Sequence, residues 1–194
     1  LAEVIAHTTH RRFERTSGVM SNVAQLRTIC ERARTLRRQI GTVLFVDEIH
    51  RFNKSQQDVL LPYVEDGTVT LIGATTHNPG IFINTPLVSR SLVFELHALT
   101  AQAIEVLLMR ALTDEERGLG KTGAVLEPEA SAFLAKLCDG DARRALTALE
   151  IAVRSTEPDG EGKRHITPEI MAECVQRRVI AYDKDEDQHY DTIS

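Results

Sequence analysis

The order of apolar and polar positions changes character about halfway along the chain. In the first half, residues 42–46 and 69–74 are short apolar runs, rich in β-branched side chains and too short for helices, which predicts buried strands. The run "LVFEL" at 92–96 predicts a third. Between them lie helical patterns. Over 21–39, Val23, Leu26, Ile29/Cys30, Ala33 and Leu36 recur at helical spacing, with arginines 27, 32, 34, 37 and 38 mainly on the other sides. Residues 55–64 predict a second helix, capped by Asn53 or Ser55. Pro62 removes one of its hydrogen bonds, which predicts a kink or a shifted last turn. Residues 1–6 are an apolar fragment that begins without a helix cap.

Strands alternating with helices predict an α/β layer around a parallel sheet. After Leu99 the pattern is helical only. Residues 100–112, 128–138, 142–153 and 168–178 predict four helices, with Thr100 and Thr167 as caps and Pro168 at a first helical position. The polar, Gly- and Pro-bearing stretches "TDEERGLGKTGAVLEP" and "STEPDGEGKRHIT" predict exposed linkers. The expected organisation is an α/β part over 1–99, a small helical part over 100–180, and the start of a linker over 181–194.

Composition narrows this reading only slightly. The 194 residues, 42% hydrophobic and 26% charged, are ordinary for a globular protein large enough to bury a real core. No apolar run approaches the ~18–20 residues that span a bilayer, and the N-terminus lacks the order of a signal peptide, so a cytoplasmic location is expected. Cys30, Cys138 and Cys174 are too scattered for a zinc site or a disulfide framework. The net charge of −5 is uneven, because residues 1–54 hold ten Lys/Arg against five Asp/Glu. A basic front half suits phosphates, but a solvated basic helix face explains it equally well.

Candidate chemistry sits in "LFVDE". A buried strand there delivers Asp47 and Glu48 at its C-terminal end, where open parallel sheets present a ligand crevice. Phosphoryl transfer needs a carboxylate to hold Mg²⁺, usually through water, and a group to orient the attacking water. Adjacent acids can divide those roles because successive strand side chains point to opposite sides. A solvated strand end is the alternative. The phosphate-cradling motif G-x-x-x-x-G-K-S/T is absent from the 194 residues. "GLGKT" at 118–122 imitates it, but Glu115 stands where its first glycine belongs and no strand precedes it.

Read in order, "FVDEIHRFNKSQQD", "LIGATTHNP", "PLVSRSLVFEL" and "CDGDARRALTALE" resemble AAA+ ATPases of the clamp-loader clade, which includes the Holliday-junction motor RuvB. "DEIHRFNKSQQD", "EDGTVTLIGATT-NP" and the terminal "YDKD---HYDTIS" are more specific and resemble the RarA (MgsA) family, whose eukaryotic relative is the Werner-helicase-interacting protein. The resemblance covers nearly the whole chain. It implies a partial AAA+ sheet of P-loop NTPase type followed by a helical lid. It further implies ATP and Mg²⁺ as cofactors and action on DNA at stalled forks, gaps or primer–template ends.

Carried over, the resemblance makes Asp47 the Walker B acid that holds Mg²⁺ through water and Glu48 the acid that activates water. Thr76, with Thr75 as the close alternative, becomes the sensor threonine at the tip of the second run; a loop-capping threonine is the plainer reading. Arg90 becomes an arginine finger acting on a neighbouring subunit, although Ser91 departs from the Cys or Ala the family more often has. Arg143 becomes the second sensor, reaching the phosphates from the lid. Otherwise both arginines are simply solvated. The histidines form no metal cluster, and His50 is expected to pack, or to contact DNA or a neighbour.

The family places its Walker A immediately before a segment like "LAEVIAH" and continues past "YDTIS" into an oligomerisation region, so these residues are expected to be the middle of a longer protein, inactive alone. A homo-oligomer is implied, with single-stranded DNA-binding protein or replisome components as further partners and a nucleoid-associated location. Two alternatives stand beside this: a RuvB-like branch-migration ATPase, which "DEIHR" and "LIGATT" suit as well as they suit RarA while "FNKSQQD" and "YDKD---HYDTIS" favour RarA, and a non-hydrolysing, clamp-loader-like interaction module.

Overall fold

The computed structural model describes residues 1–174. The expected linker at 181–194, the motif "YDKD---HYDTIS" and the end of the helix expected over 168–178 lie outside the described residues. The chain divides into two compact units, Leu1–Glu95 and Leu96–Ser194.

The first unit is built on a three-stranded parallel sheet of order β1-β2-β3, with β1 at Arg12–Ser17, β2 at Thr42–Asp47 and β3 at Val69–Gly73. Helix α1 (Ala2–Thr8) lies against β1 and β2. Helices α2 (Val23–Leu36) and α3 (Lys54–Glu65) connect successive strands and pack on each other. The register sets Ser17 beside Asp47 on one side and Val46 beside Gly73 on the other, so β2 is the central strand. Its side chains alternate. Leu44 and Val46 enter a core with Leu26, Cys30 and Ala33 of α2 and Leu60 of α3, while Phe45 and Asp47 face the other way, with Phe45 stacked on Phe13.

Helices α2 and α3 begin with reciprocal caps. Asn22 accepts from the Gln25 backbone N–H while Gln25 returns a bond to the Asn22 N–H, and Asn53 does the same with Gln56. The expected shift at Pro62 does not occur. The helix runs on to Glu65, and the Asp66 N–H donates to the Pro62 carbonyl at 3.0 Å, a regular α spacing. Proline costs a helix its own N–H but leaves its carbonyl free to accept.

Two expectations fail on strands. Residues 92–96 are not a strand, and Leu92, Phe94 and Leu96 are about four-fifths exposed (84%, 79% and 82%). An apolar run becomes a strand only when its backbone finds a partner, and the described sheet ends at β3. Conversely, β1 ("RFERTS") was not expected. It is a polar edge strand with one large apolar side chain, Phe13.

In the first unit, the chain leaving β3 forms two short helices, α4 (Pro79–Phe82) and α5 (Thr85–Val88). The second unit packs α6 (Ala101–Thr113), α7 (Pro128–Leu137) and α8 (Ala142–Ser155) around Ile104, Leu108, Leu134, Leu149 and Met171. Thr100 caps α6 by accepting from the Ala103 N–H. Residues 168–174 are helical. The unit is not purely helical as expected, because β4 (Ala124–Leu126) and β5 (Arg164–Ile166) pair in parallel. Three-residue strands are too short to show a period.

Candidate nucleotide-hydrolysis site

The central strand carries Asp47 at its last position, and the chain then turns sharply. Glu48 has φ +51°, a left-handed conformation that costs a non-glycine residue free energy. Three hydrogen bonds hold the turn. Gly18 N–H donates to the Asp47 carbonyl at 2.7 Å, Ala74 N–H to the Val46 carbonyl at 2.9 Å, and Ile49 N–H to the Ala74 carbonyl at 2.9 Å. The tips of all three strands are thereby stitched around Asp47 and Glu48. A Cβ on Gly18 would lie 2.2 Å from the Glu48 carbonyl oxygen, so only glycine allows β1's exit to pass that close.

Asp47 and Glu48 are half-exposed, and among the described residues each has one ionic neighbour. Arg15 Nη2 stands 3.3 Å from Asp47 Oδ2, and His50 Nδ1 stands 3.2 Å from Glu48 Oε2. His50 also bonds Thr75 Oγ1 at 2.9 Å. Its ring packs on His77 with centroids 4.0 Å apart, and the His77 ring meets the edge of Phe82 at 4.8 Å. Sequence reasoning missed Arg15, because β1 was not foreseen, and left the partners of His50 open.

The two candidate sensor threonines differ in setting. Thr75 is part-buried, bonds His50, and accepts from the His77 N–H at 3.0 Å. Thr76 is exposed, its hydroxyl 3.2 Å from His77 Nδ1. Thr75 is therefore tied through His50 to Glu48, whereas Thr76 is exposed, with its hydroxyl against His77.

The second half of the long motif is scaffold. The Gln56 side chain reaches the Ser21 carbonyl, linking α3 to the loop after β1. Gln57, 2% exposed, donates to the Phe52 and Phe82 carbonyls at 3.0 Å each and accepts from the Asn84 N–H. A buried amide with every polar atom paired is a strong local clamp. "FNKSQQD" thus holds the loops around the strand tips.

Arg90 lies in the same unit but away from the acids. Its guanidinium is 2.8 Å from Glu65, at the end of α3, and donates to the Pro86 carbonyl at 2.9 Å. Arg143 belongs to the second unit, exposed in the first turn of α8, whose cap Asp141 accepts from the Arg144 N–H at 3.0 Å. "GLGKT" forms the turn that leaves α6. Leu119 N–H donates to the Ala111 carbonyl at 2.6 Å, and a Cβ on Gly118 would meet that same oxygen at 2.3 Å. Its glycines serve close packing.

A metal ion held here would need help from its ligand. Among the described residues no group of three or more His, Cys, Asp or Glu side chains could hold one. A single half-exposed aspartate suits Mg²⁺, which keeps its waters and completes its shell with substrate phosphates. The residues present fit that cation and the water-activating role, while the described strand tips offer no phosphate loop of the G-x-x-x-x-G-K-S/T form.

Comparison with known proteins identifies the family. Residues 1–93 match the P-loop domain of Holliday junction DNA helicase RuvB, and residues 120–194 match the AAA C-terminal domain. The whole chain is 47% identical to replication-associated recombination protein A of Escherichia coli and 42% identical to that of Bacillus subtilis. It is also 35% identical to the ATPase WRNIP1 of Dictyostelium discoideum. The chain spans 44% and 45% of the two bacterial relatives' length and 24% of WRNIP1. In structure it resembles the Thermotoga maritima RuvB Holliday junction branch migration motor (TM-score 0.69, 26% identity), covering 90% of this chain and 56% of that one. With 42–47% identity to these recombination proteins along the whole of its own 194 residues, the chain belongs to the RarA (replication-associated recombination protein A) family of AAA+ proteins.

Proposed function

We propose that these residues form the metal-and-water half of an ATP-hydrolysing site, in a protein that couples ATP turnover to action on DNA at stalled forks, gaps or primer–template ends. The observation that carries the reading is the pair Asp47–Glu48 at the tip of the central parallel strand, bonded to the loop that bears Thr75 and Thr76. The names of the relatives at 42–47% identity supply replication and recombination as its setting.

In this mechanism Asp47 would hold Mg²⁺ through water. When bound, that cation neutralises the charge developing on the transferred phosphoryl group. Glu48 orients a water and takes up its proton, and Thr76 donates toward the γ-phosphate or the water. Arg90 leaves Glu65 to meet the nucleotide of a neighbouring subunit, which requires a homo-oligomer. The second unit acts as a lid, with Arg143 as its phosphate contact. DNA is the macromolecular partner, with single-stranded DNA-binding protein or replisome components as further ones, in the cytoplasm at the nucleoid. The 194-residue chain by itself turns over negligibly, because it holds no phosphate loop. The identity to the recombination proteins favours this substrate class over RuvB-type branch migration, and the intact acids argue against a non-hydrolysing module.

The test uses the full-length protein that contains these residues. It should hydrolyse ATP with Mg²⁺, and Glu48→Gln should abolish turnover while nucleotide binding persists. Unchanged turnover in Glu48→Gln would overturn the assignment.

A further inference from the structure

We propose that His50 is a positioning residue that fixes the Glu48 carboxylate and links it to the loop leaving β3, through a proton on its Nδ1 shared between Glu48 and Thr75. This rests on the ATPase reading for its consequence, though not for its geometry.

The argument is one of hydrogen-bond accounting. His50 Nδ1 faces two oxygens, Glu48 Oε2 at 3.2 Å and Thr75 Oγ1 at 2.9 Å. A neutral imidazole nitrogen is either a donor or an acceptor. As an acceptor, it would need the single hydroxyl hydrogen of Thr75 and would turn a lone pair toward a carboxylate. That hydrogen has another acceptor, the His77 carbonyl at 3.3 Å, while the same hydroxyl oxygen accepts from the His77 N–H at 3.0 Å. The arrangement that satisfies Nδ1, the Thr75 hydroxyl and the Glu48 carboxylate together has Nδ1–H donating to both oxygens.

The ring cannot readily turn away. Its side chain is 9% exposed, packed on His77 at 4.0 Å and edge-on to Phe82 at 6.2 Å. Glu48, by contrast, is 38% exposed in a strained backbone conformation, and among the described residues no other side chain bonds its carboxylate. His50 therefore supplies the acid with a fixed direction. Because the same proton serves Thr75, a shift of the β3 exit loop changes the bond that holds Glu48. The acid and the sensor loop move as one unit.

Two amides separate this role from packing. Asparagine places an N–H where Nδ1 stands, whereas glutamine places one where Nε2 stands. In the full-length protein, His50→Asn should retain kcat within about threefold. His50→Gln and His50→Leu should lower kcat about 10- to 100-fold, the scale on which misplacing a catalytic group acts, with the KM for ATP unchanged. Equal losses in all three variants, or a loss confined to KM, would overturn the proposal. Independently of any turnover, ¹⁵N spectra of histidine-labelled 194-residue chain should give His50 a protonated Nδ1. Glu48→Gln and Thr75→Val should each move the Nδ1 signal. An unprotonated Nδ1 would overturn the shared proton. Wild-type protein without ATPase activity, but with that Nδ1 signal, would instead remove the functional reading and leave the bonding intact.

Discussion

Arg15 reaches from the edge strand to Asp47 on the central one, its Nη2 3.3 Å from Oδ2 and its guanidinium carbon 5.8 Å from the centre of the Phe45 ring. The parallel register sets Arg15 beside Phe45 and Ser17 beside Asp47, so arginine and acid share one face of the sheet. The pair is open to water, with side chains 66% and 41% exposed, and such pairs contribute about 0–1 kcal/mol. Its consequence is for binding, because the guanidinium competes with a cation for the same carboxylate. Arg15→Gln should leave the melting temperature nearly unchanged and lower the Mg²⁺ concentration at half-maximal turnover of the full-length protein. An unchanged or higher Mg²⁺ requirement would rule out that competition.

The close approach at Gly18 makes a second, sharper prediction. A methyl group there meets the Glu48 carbonyl at 2.2 Å, and backbone must give way. Gly18→Ala should cost about 1–3 kcal/mol by overpacking and should cut turnover by displacing Glu48. Gly160→Ala, which meets nothing within 4 Å, should be close to neutral in urea denaturation and ATPase assays alike.

Helix α3 depends on its reciprocal cap. Asn53→Ala removes the acceptor for the Gln56 N–H and should cost about 1 kcal/mol in chemical denaturation. Gln57→Leu should cost more. It leaves the buried Phe52 carbonyl, among others, without its donor, and an orphaned buried group costs about 1–3 kcal/mol. If the two variants denature alike, the buried clamp is weaker than its bonding implies.

Arg90 is already paired with Glu65 within its own chain. If it serves a neighbour's nucleotide, Arg90→Ala and Glu48→Gln should each be inactive alone and recover activity when mixed before assembly. A mixed oligomer contains interfaces with both the intact acid and the intact arginine. Absence of recovery in verified mixed oligomers would place Arg90 in cis or outside the reaction.

Burial pushes the Cys30 thiol up from 9.0 to about 11, with the Glu31 charge adding to it. The folded chain therefore keeps a proton that the unfolded chain loses between those values. The stabilisation is complete below pH 9 and is lost as pH rises toward 11. Denaturation in reductant should show stability falling across that window, with a flatter profile for Cys30→Ala. At pH 8, site-resolved alkylation of Cys30 should be slow until denaturant is added.

Much of the first unit was legible in the order of residues. The apolar run ending in Asp47, the arginine-faced helix before it and the Asn53 cap each follow from local rules, because periodicity and capping act within a few residues. The motif string also marked Asp47, Glu48 and the two threonines as one set of candidates. It could not say which threonine meets His50, since that depends on how the turn after β2 packs against the exit of β3.

Strand pairing escaped the sequence in both directions. "RFERTS" forms a strand although its pattern is polar, and "LVFEL" forms none although its pattern is apolar. A strand exists through hydrogen bonds to another strand, and those bonds are invisible in a single segment. What the sequence by itself determined is the longer helices, strands β2 and β3, and the candidate acids at the tip of the central one, whereas α4 and α5 form in a stretch it read as a loop. What only the tertiary structure decided is the neighbours: Arg15 on Asp47, Gly18 under Glu48, and one histidine nitrogen between acid and threonine. These are contacts between residues up to 32 positions apart in the chain, brought together by the parallel register and the turns at the strand ends.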